Sequence, residues 1–335
     1  MLLETAKEAY DGMRSVYEDF CLFLSRELSQ LVDNQGVKLA VPIHFRVKTW
    51  DSIVEKYQRR NITEFSLDQI SDLVGLRIVV MFSSDIKPVL DSISQSLVVT
   101  QVEDTSSRLD ESQFGYGSVH LLVSLPDHWT DVPTNVRFKG LSAEVQLRTM
   151  SQHTWAAASH SLQYKHEQDV PRELRRSMTR IAALLEIVDT EYERLLHERE
   201  QYLQQISLEQ SQLNVDTLRL LTNEYLPQRN EDSPEDYSEL LEQVLFMGIR
   251  TTHELKTVLE KNVNQAIEHD VDTARKIVNG EAPELNDYLE RAKRGYFHSK
   301  TGLVRYILEL EFGTEKVMEY WDYFYAKYAP LGDNE

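Results

Sequence analysis

Residues 72–82 read Asp-Leu-Val-Gly-Leu-Arg-Ile-Val-Val-Met-Phe, and this stretch decides the fold of the first half of the chain. Its apolar, β-branched part, Leu76 to Phe82, is typical of a buried strand. Two further strands are predicted at Val119 to Leu125 and at Ala143 to Leu147, and residues 86–97 are predicted to be helical. This alternation predicts an α/β (α+β) domain, built as a mixed β-sheet flanked by helices.

The chain before this strand is predicted to be helical, then extended, then helical again. Residues 3–33 place apolar side chains at helical spacing, and Asn34-Gln35-Gly36 ends that helix. Residues 38–49 are predicted to be extended. Trp50 to Arg60 is predicted to form the second helix.

The chain changes character at Pro171. Residues 172–212 form one long helical pattern without glycine or proline, and the chain that follows is helical with breaks at proline and glycine. The segment 227–234 contains two prolines and is the best candidate for a linker. We therefore predict a catalytic domain at residues 1–200, a helical connector and linker at 201–234, and an all-α C-terminal domain of regulatory or interaction role at 235–335.

Composition narrows the class of protein. At 335 residues the chain favours two domains, and its 41% apolar and 27% charged residues are ordinary for a soluble globular protein. No apolar run approaches the roughly 20 residues that span a bilayer, and no signal-peptide pattern is present, so a cytoplasmic protein without a membrane partner is expected. Cys21 is the only cysteine, which excludes an intrachain disulfide. The net charge of −19 argues against broad nucleic-acid binding.

Four cations and two carboxylates stand out in the first half of the chain. In chain order they are Arg46, Lys48, Lys56, Asp72, Arg77 and Glu144. Arginine can fork onto phosphate oxygens or stack on a base. Magnesium needs only one or two carboxylates, because it keeps several of its waters. Around one cleft these residue types indicate metal-assisted phosphoryl or pyrophosphoryl transfer, with Mg²⁺ as the cofactor.

The predicted strands and helices bring several of these residues to a common side of the chain, although each residue also has an ordinary structural explanation. Arg46 and Lys48 alternate on an extended segment and therefore point to one side of it. Ser52 and Lys56 lie on neighbouring turns of one helix face. Glu144 is the most telling of the set, because an unpaired carboxylate in an otherwise apolar strand is costly.

Two longer motifs complete the pattern: Gly115-Tyr116-Gly117-Ser118-Val119-His120 and Glu144-Val145-Gln146-Leu147-Arg148-Thr149. In this order and spacing, the whole set strongly resembles the synthetase domain of the RelA/SpoT alarmone synthetases, especially the small stand-alone ones, over residues 15–200. The resemblance implies a nucleotidyltransferase-like fold and an ATP:GTP/GDP 3′-pyrophosphotransferase. Such an enzyme transfers the β,γ-pyrophosphate of ATP to the 3′-hydroxyl of GDP or GTP and makes the alarmone (p)ppGpp.

The resemblance also implies roles for the residues of the ATP half. Arg46 is expected to stack on adenine, and Arg77 to close on the other face of the base. The residues expected to meet the ATP phosphates are Lys48, Ser52 and Lys56. Asp72 and Glu144 are expected to hold Mg²⁺, and Glu144 also to help deprotonate the attacking hydroxyl.

For the acceptor nucleotide, the resemblance implies a second set of residues. Tyr116 is expected to stack on guanine, and His120 to lie near the phosphates or the ribose. Gln146 and His153 match positions that edge the acceptor base. These four residues and the two carboxylates together predict one site for two nucleotides.

The sequence departs from the family pattern in the loop before this histidine. Ser112 stands where a lysine is usual, Gly117 replaces an arginine, and Arg108 of the same loop can take over the missing charge. These departures leave the acceptor open. One alternative is a toxin-like relative that pyrophosphorylates the 3′ end of transfer RNA or makes (p)ppApp. Another is a non-catalytic sensor that binds an alarmone and signals through its helical domain.

The C-terminal part resembles no family that we can name. The hydrolase half of long RelA/SpoT proteins is missing, because His269-Asp270 stands without the other metal ligands. Its one basic stretch, Arg291 to Arg305, is the expected contact surface. An aromatic cluster between Tyr320 and Tyr328 suits either a core or an interface. A homo-oligomer or a protein partner bound through this domain is expected.

Overall fold

The structure is a computed structural model that describes residues 3–59, 70, 72–105, 117–161, 171–206, 208, 211–232 and 235–328. The chain divides into two compact units, Met1–His197 and Glu198–Glu335. Among the described residues, no helix combines the length and the apolar character needed to cross a membrane.

The first unit is built around five strands in the order β1-β2-β5-β4-β3. The strands are β1 (His44–Val47), β2 (Val74–Val80), β3 (Val98–Asp104), β4 (Val119–Ser124) and β5 (Ser142–Thr149). The β2–β5 pair is parallel and the other three pairs are antiparallel, so the sheet is mixed, as the sequence predicts. The helices are α1 (Leu3–Asn34), α2 (Trp50–Arg59), α3 (Ile86–Ser96), α4 (Asp127–Thr130), α5 (Met150–Ser161) and α6 (Arg172–Gln205).

One face of the sheet is apolar and buried, and the other carries polar side chains. Alternate residues of the central strands are fully buried, such as Ile78 of β2 and Val145 of β5. They share one core with Phe20 and Leu24 of α1 and with Ile93 of α3. Because successive side chains of a strand point to opposite faces, burial of this set directs the intervening polar residues to the other face.

The predicted elements of this unit are present, with differences at their ends and one omission. Strand β2 begins at Val74, two residues before the predicted start, because Val74 and Gly75 still pair with β1. The extended segment predicted at residues 38–49 is a strand only over His44–Val47. Strand β3 was not predicted. It lies at the sheet edge with mostly exposed side chains, so it lacks the alternating burial that identifies a strand in a sequence.

The second unit is helical. Its helices are α7 (Val215–Tyr225), α8 (Tyr237–Phe246), α9 (Thr252–Val278), α10 (Leu289–Lys293), α11 (Lys300–Phe312) and α12 (Thr314–Tyr328). Thr251 and Glu254 form a capping box at the start of α9, in which each side chain accepts a hydrogen bond from the backbone N–H of the other residue. Gly313 separates α11 from α12 with a positive φ of 85°, which favours glycine.

The beginning of this unit differs from the predicted connector at residues 201–234. Helix α6 ends at Gln205, and the chain then pairs with the segment before α9 through Leu213 N–H to the carbonyl of Arg250, at 2.9 Å. Leu218 and Leu221 of α7 belong to the core of the second unit. The described residues of the 227–234 segment also lie within this unit, which limits their suitability as a linker.

The basic stretch of the second unit is engaged in ion pairs within the unit. Arg291 lies 2.6 Å from Asp232, and Arg305 lies 2.6 Å from Glu239. The ammonium group of Lys300 is fully buried. Charges held this way are poorly placed to meet a partner, so the structure gives no support to the expected contact surface. The aromatic cluster is divided, since Tyr320 is buried while other members are exposed.

Candidate active site

The strand register sets two rows of side chains across the polar face of the sheet. From β1 to β3, the first row is Arg46, Gly75, Glu144, Leu122 and Gln101. The second row, in the same order, is His44, Arg77, Gln146, His120 and Glu103. Residues distant in sequence, on five strands, are therefore neighbours because of backbone pairing alone.

Asp72 holds two lysines at one end of these rows. Its carboxylate lies 2.5 Å from Nζ of Lys48 and 2.7 Å from Nζ of Lys56. Burial alone would raise the pKa of Asp72, but hydrogen bonds from the two ammonium groups outweigh burial and hold the pKa below its ordinary value. Asp72 is therefore ionised at neutral pH, within a cluster of net charge +1.

The pairing of β1 with β2 explains this cluster. Lys48 follows β1 directly, and its backbone N–H donates to the carbonyl of Leu73 at 2.8 Å. Asp72 precedes β2, so the antiparallel pair brings the two side chains together. The hydroxyl of Tyr10 donates to the carbonyl of Lys48 at 2.8 Å and fixes the strand end to α1.

Glu144 lies within a hydrogen-bonded chain on the same face. One of its oxygens is 2.8 Å from Nδ1 of His120, and the other accepts from the amide of Gln146 at 3.3 Å. The hydrogen bond from His120 lowers the pKa of Glu144 below its ordinary value, against the opposing effect of burial. Ser118 Oγ lies 2.7 Å from Nε2 of His120 and ends the chain.

Arg148 sets the direction of these hydrogen bonds. An arginine only donates, and its Nη2 is 2.5 Å from Oε1 of Gln146, so the amide oxygen of Gln146 faces Arg148 and its NH₂ faces Glu144. Ionised Glu144 only accepts, so His120 donates from Nδ1. In the neutral imidazole, Nε2 then accepts from the hydroxyl of Ser118.

Arg77, Arg148 and His153 lie together beside this series of hydrogen bonds. None of the described residues accepts a hydrogen bond from the buried Nε of Arg77 or of Arg148. Burial and the neighbouring Arg77 lower the pKa of Arg148 to about 10. Burial, Arg77 and Arg148 also lower the pKa of His153. Buried donors without acceptors are costly, which favours an electron-rich ligand at this position.

Arg46 reaches over Gly75 in this part of the site. A Cβ added at Gly75 would lie 3.8 Å from Cγ of Arg46, an ordinary van der Waals distance, so the arginine side chain lies alongside the glycine. The Arg46 charge also contributes to the lowered pKa of Arg77, which shows that the two guanidinium groups are near one another. Such a pair is suited to the two faces of a base.

A cleft of about 370 Å³ joins the two carboxylates. Its lining residues are Lys56, Asp72, Gln101, Glu103, His120, Leu121, Leu122 and Glu144. Asp72 also raises the pKa of Glu144 electrostatically, in keeping with their proximity. Within the described part of the chain, no three His, Cys, Asp or Glu side chains converge on one point as a complete metal cage would require. A divalent ion that also needs ligand phosphates fits this donor set.

Some predicted site residues lie outside the described residues, and others have contacts that differ from those expected. Tyr116, Arg108 and Ser112 lie outside the described residues. The hydroxyl of Ser52 accepts a hydrogen bond from Thr49 Oγ1 at 2.9 Å and is not joined to the Asp72 cluster. Gln146, which was expected to edge the acceptor base, donates a hydrogen bond to Glu144 in this structure.

Three residues of the candidate site had no role assigned from the sequence. Ser118 and Arg148 stand inside the quoted motifs without an assigned role, and alternation with the buried residues of β4 and β5 is the signal that could have placed Arg148 on the polar face. Glu103 lies on β3, whose β-branched residues Val98, Val99, Thr100 and Val102 are the signal for that strand.

Comparison with known proteins identifies the family. Residues 45–169 match the model described as "Region found in RelA / SpoT proteins". The GTP pyrophosphokinase YwaC of Bacillus subtilis (strain 168) is 32% identical over 149 residues, which cover 43% of this chain and 68% of YwaC. YjbM of the same organism, also a GTP pyrophosphokinase, is 31% identical over 153 residues, covering 45% of this chain and 70% of YjbM. The chain belongs to the RelA/SpoT family.

Solved structures similar to this RelA/SpoT protein include small alarmone synthetases. The small alarmone synthetase 1 of Bacillus subtilis has a TM-score of 0.49 and 24% identity, covering 58% of this chain and 99% of that one. A GTP pyrophosphokinase family protein of Streptococcus pneumoniae has a TM-score of 0.47 and 28% identity, covering 60% of this chain and 97% of that one.

Proposed function

We propose that this RelA/SpoT protein is an ATP:GTP/GDP 3′-pyrophosphotransferase that makes (p)ppGpp. The observation that carries the proposal is the convergence of Asp72, with its two lysines, and Glu144 on one cleft. The two carboxylates are far apart in sequence, and the parallel pairing of β2, which Asp72 precedes, with β5, which carries Glu144, brings them to one cleft. Membership of a family whose relatives are named GTP pyrophosphokinases supports the same reaction.

The donor half suits ATP. Arg46 and Arg77 offer guanidinium planes for the two faces of adenine, next to Gly75. Lys48 and Lys56 present ammonium groups at the nearby end of the site, where they would neutralise charge on the transferred pyrophosphoryl group. Binding ATP phosphates at these lysines would release the oxygens of Asp72 for another cation.

The donor atoms fit Mg²⁺. Asp72 and Glu144 are both ionised at neutral pH, and Mg²⁺ is commonly held by one or two carboxylates together with substrate phosphates and waters. When bound, the ion would neutralise negative charge on the phosphates. The residues that would hold it are Asp72 and Glu144.

The acceptor half would place the 3′-hydroxyl near Glu144. The carboxylate accepts from His120 and Gln146, which fixes its position and leaves it ionised. It would take part in removing the proton of the attacking hydroxyl as the bond to the β-phosphorus forms and the bond to the α-phosphate of ATP breaks, releasing AMP. Tyr116, by family resemblance, would stack on the guanine.

Product analysis with ATP labelled in its γ-phosphate tests the acceptor. The protein would be incubated separately with GDP, GTP, ATP alone and deacylated transfer RNA, and the labelled products separated. The proposal expects label on the guanosine nucleotides. If the label appears only on transfer RNA, or only on an adenosine nucleotide other than the substrate ATP, the proposal is wrong and that molecule is the acceptor. Binding of (p)ppGpp without any transfer would instead support a sensor.

A further inference from the structure

The surface of the second unit has a groove that the proposed reaction does not use. Helices α8 and α12 form its two walls, and its volume is about 540 Å³. Binding clefts in proteins commonly have volumes of roughly 300–1,000 Å³. The described residues that line it all belong to the second unit, and none of them lines the nucleotide cleft. We call it the α8–α12 groove.

The floor of the α8–α12 groove is apolar and aromatic. Leu241, Leu245 and Phe246 come from α8, and Tyr323 comes from α12. The rings of Phe246 and Tyr323 are stacked, with centroids 5.4 Å apart and planes 28° from parallel, yet 43% of Tyr323 is exposed. A ring that is already held in one orientation loses little side-chain entropy on binding, and aromatic residues are enriched at the centres of protein interfaces. This floor is therefore suited to the apolar side of a partner.

The rim of the groove is more basic than the unit around it. Arg250 and Lys327 line it together with one acid, Glu242, which lies 2.6 Å from Lys327. The side chain of Arg250 donates to a backbone carbonyl of α8 and, within the described part of the chain, to no carboxylate. Glu254 accepts from the backbone N–H of Arg250 and not from its side chain. Residues 198–335 as a whole contain 27 acidic and 15 basic residues, a net charge of −12. An exposed guanidinium group that donates to no described carboxylate favours a partner that brings one.

The walls of the groove favour a helical partner over an extended one. Because the walls are helices, their backbone N–H and C=O groups are already hydrogen-bonded within each helix. An extended peptide would bring its own backbone groups over the apolar floor without partners for them, which is costly. A helix pairs its backbone groups internally and presents only side chains. Apolar side chains on one of its faces would contact the floor, and acids on the flank of that face would meet Arg250.

We propose that the α8–α12 groove binds an amphipathic helix of a partner protein, and that this helix has an acidic flank. The apolar face of the helix contacts Leu245, Phe246 and Tyr323, and a carboxylate beside that face pairs with Arg250. The interaction uses only residues of the second unit, and it holds whether or not the proposed transfer reaction is correct. It gives this unit the role of a binding module for another protein.

Fluorescence anisotropy of the full chain with a labelled synthetic helix tests the binding. The probe is a peptide of three heptads, with leucine at the first and fourth positions of each heptad and glutamate at the positions that flank them. A second peptide has lysine in place of every glutamate. Because the whole chain has a net charge of −19, non-specific attraction would favour the basic peptide. The proposal expects saturable binding of the acidic peptide at micromolar concentration, at least tenfold tighter than that of the basic one. No binding of the acidic peptide, or equal or tighter binding of the basic one, would overturn it.

Charge reversal at the rim tests whether the peptide lies in the groove. Arg250→Glu should weaken binding of the acidic peptide at least tenfold, because it replaces an attracting charge with a repelling one. Arg229→Glu makes the same change at another exposed arginine of the second unit, outside the groove, and should leave the affinity unchanged. Equal losses in the two variants, or no loss in Arg250→Glu, would place the peptide elsewhere and overturn the proposal.

Two tyrosines of α12 provide a matched pair for the apolar floor. Tyr323→Ala removes a ring of the floor and should weaken binding of the acidic peptide at least tenfold. Tyr325→Ala removes a ring that is 67% exposed and does not line the groove, so the affinity should stay the same. The same affinity in both variants would show that the floor takes no part in binding, against the proposal.

Sedimentation velocity tests the other occupant of such a groove, a second copy of this chain. Leu245→Glu places a charge on the floor, so it should abolish peptide binding and leave the sedimentation coefficient of the full chain unchanged. If Leu245→Glu instead separates an assembly that the wild-type chain forms, the groove binds a second copy and the proposal is wrong.

Discussion

At the scale of single residues, the sequence names candidate site residues but not the contacts between them. Asp72, Lys48 and Lys56 were predicted as separate ligands of metal and phosphate, and the structure joins them as one ion-paired cluster. Arg148 stands in a quoted motif, but the sequence assigns it no role. Contacts of this kind follow from the strand register and from hydrogen-bond direction, and a pattern of residue types contains neither.

Lys48→Met should move the acid limb of the transfer reaction to higher pH. Lys48 helps to hold the pKa of Asp72 below its ordinary value, so its removal raises that pKa. The ion pair also stabilises the fold only while Asp72 is ionised, and this stabilisation is lost as the pH falls through the lowered pKa. The pH profile of kcat/KM measures the limb, and Arg46→Met, which leaves Asp72 alone, is the control. An unshifted limb in Lys48→Met would contradict the assignment of that limb to Asp72.

Arg148→Met should weaken nucleotide binding without weakening the fold. A hydrogen bond from a charged group is worth about 1.5–3 kcal/mol, which corresponds to a loss of affinity of roughly ten- to hundredfold. The free protein should unfold at nearly the same temperature, because the lost hydrogen bond from Arg148 Nη2 to Gln146 is offset by removal of a buried charge whose Nε has no acceptor among the described residues. Calorimetric titration and thermal unfolding measure the two effects. Normal affinity together with a clear loss of stability would make Arg148 a purely structural residue.

At the scale of elements, the buried strands and the long helices could be predicted, and the edge strand and several breaks could not. The buried, β-branched run of β2 identifies it as a strand in the sequence. Strand β3 lies exposed at the sheet edge and shows no such run. The break between α8 and α9 contains only one glycine and no proline, so no strong signal marks it in the sequence. Helix α8 ends before Gly248, whose φ is 90°, and α9 starts at the capping box of Thr251, which is a local hydrogen-bond arrangement.

Thr251→Ala should destabilise the second unit by about 1 kcal/mol, because it removes the N-cap of the 27-residue helix α9. Thr257→Ala, at an exposed interior position of the same helix, removes the same atoms without touching the cap and should be neutral or slightly stabilising. Urea unfolding followed by circular dichroism compares the two variants. Equal stabilities would show that the capping box contributes nothing measurable.

At the scale of the whole molecule, the sequence predicts a helical connector at residues 201–234, and the structure includes residues of that segment in the core of the second unit. Composition changes at Pro171, yet α6 continues through the boundary between units at His197 and Glu198. Leu218 and Leu221 of α7 complete the second core, although in the sequence they look like part of a connector. Helical periodicity shows that a segment has an apolar face, and it does not show which core that face joins.

A chain that ends at Gln205 should stay folded and keep basal transfer activity. It retains the whole core of the first unit and every described residue of the cleft. A chain that ends at Thr222 is the matched comparison, and it should be less soluble, because it exposes Leu218 and Leu221 of the unfinished second core. Circular dichroism and the labelled-ATP assay compare the two. Loss of activity in a folded chain ending at Gln205 would show that the second unit helps to build the site.

Phosphorus NMR of the reaction of the full chain with ATP, GDP and Mg²⁺ tests the central claim most directly. Transfer of an intact pyrophosphoryl group predicts equal amounts of AMP and a guanosine nucleotide with a new 3′-diphosphate, and none of either with Asp72→Asn or Glu144→Gln. These variants keep the shape of the side chains and remove the charges that meet in the cleft. Formation of ADP in place of AMP, or undiminished turnover in either variant, would contradict the account.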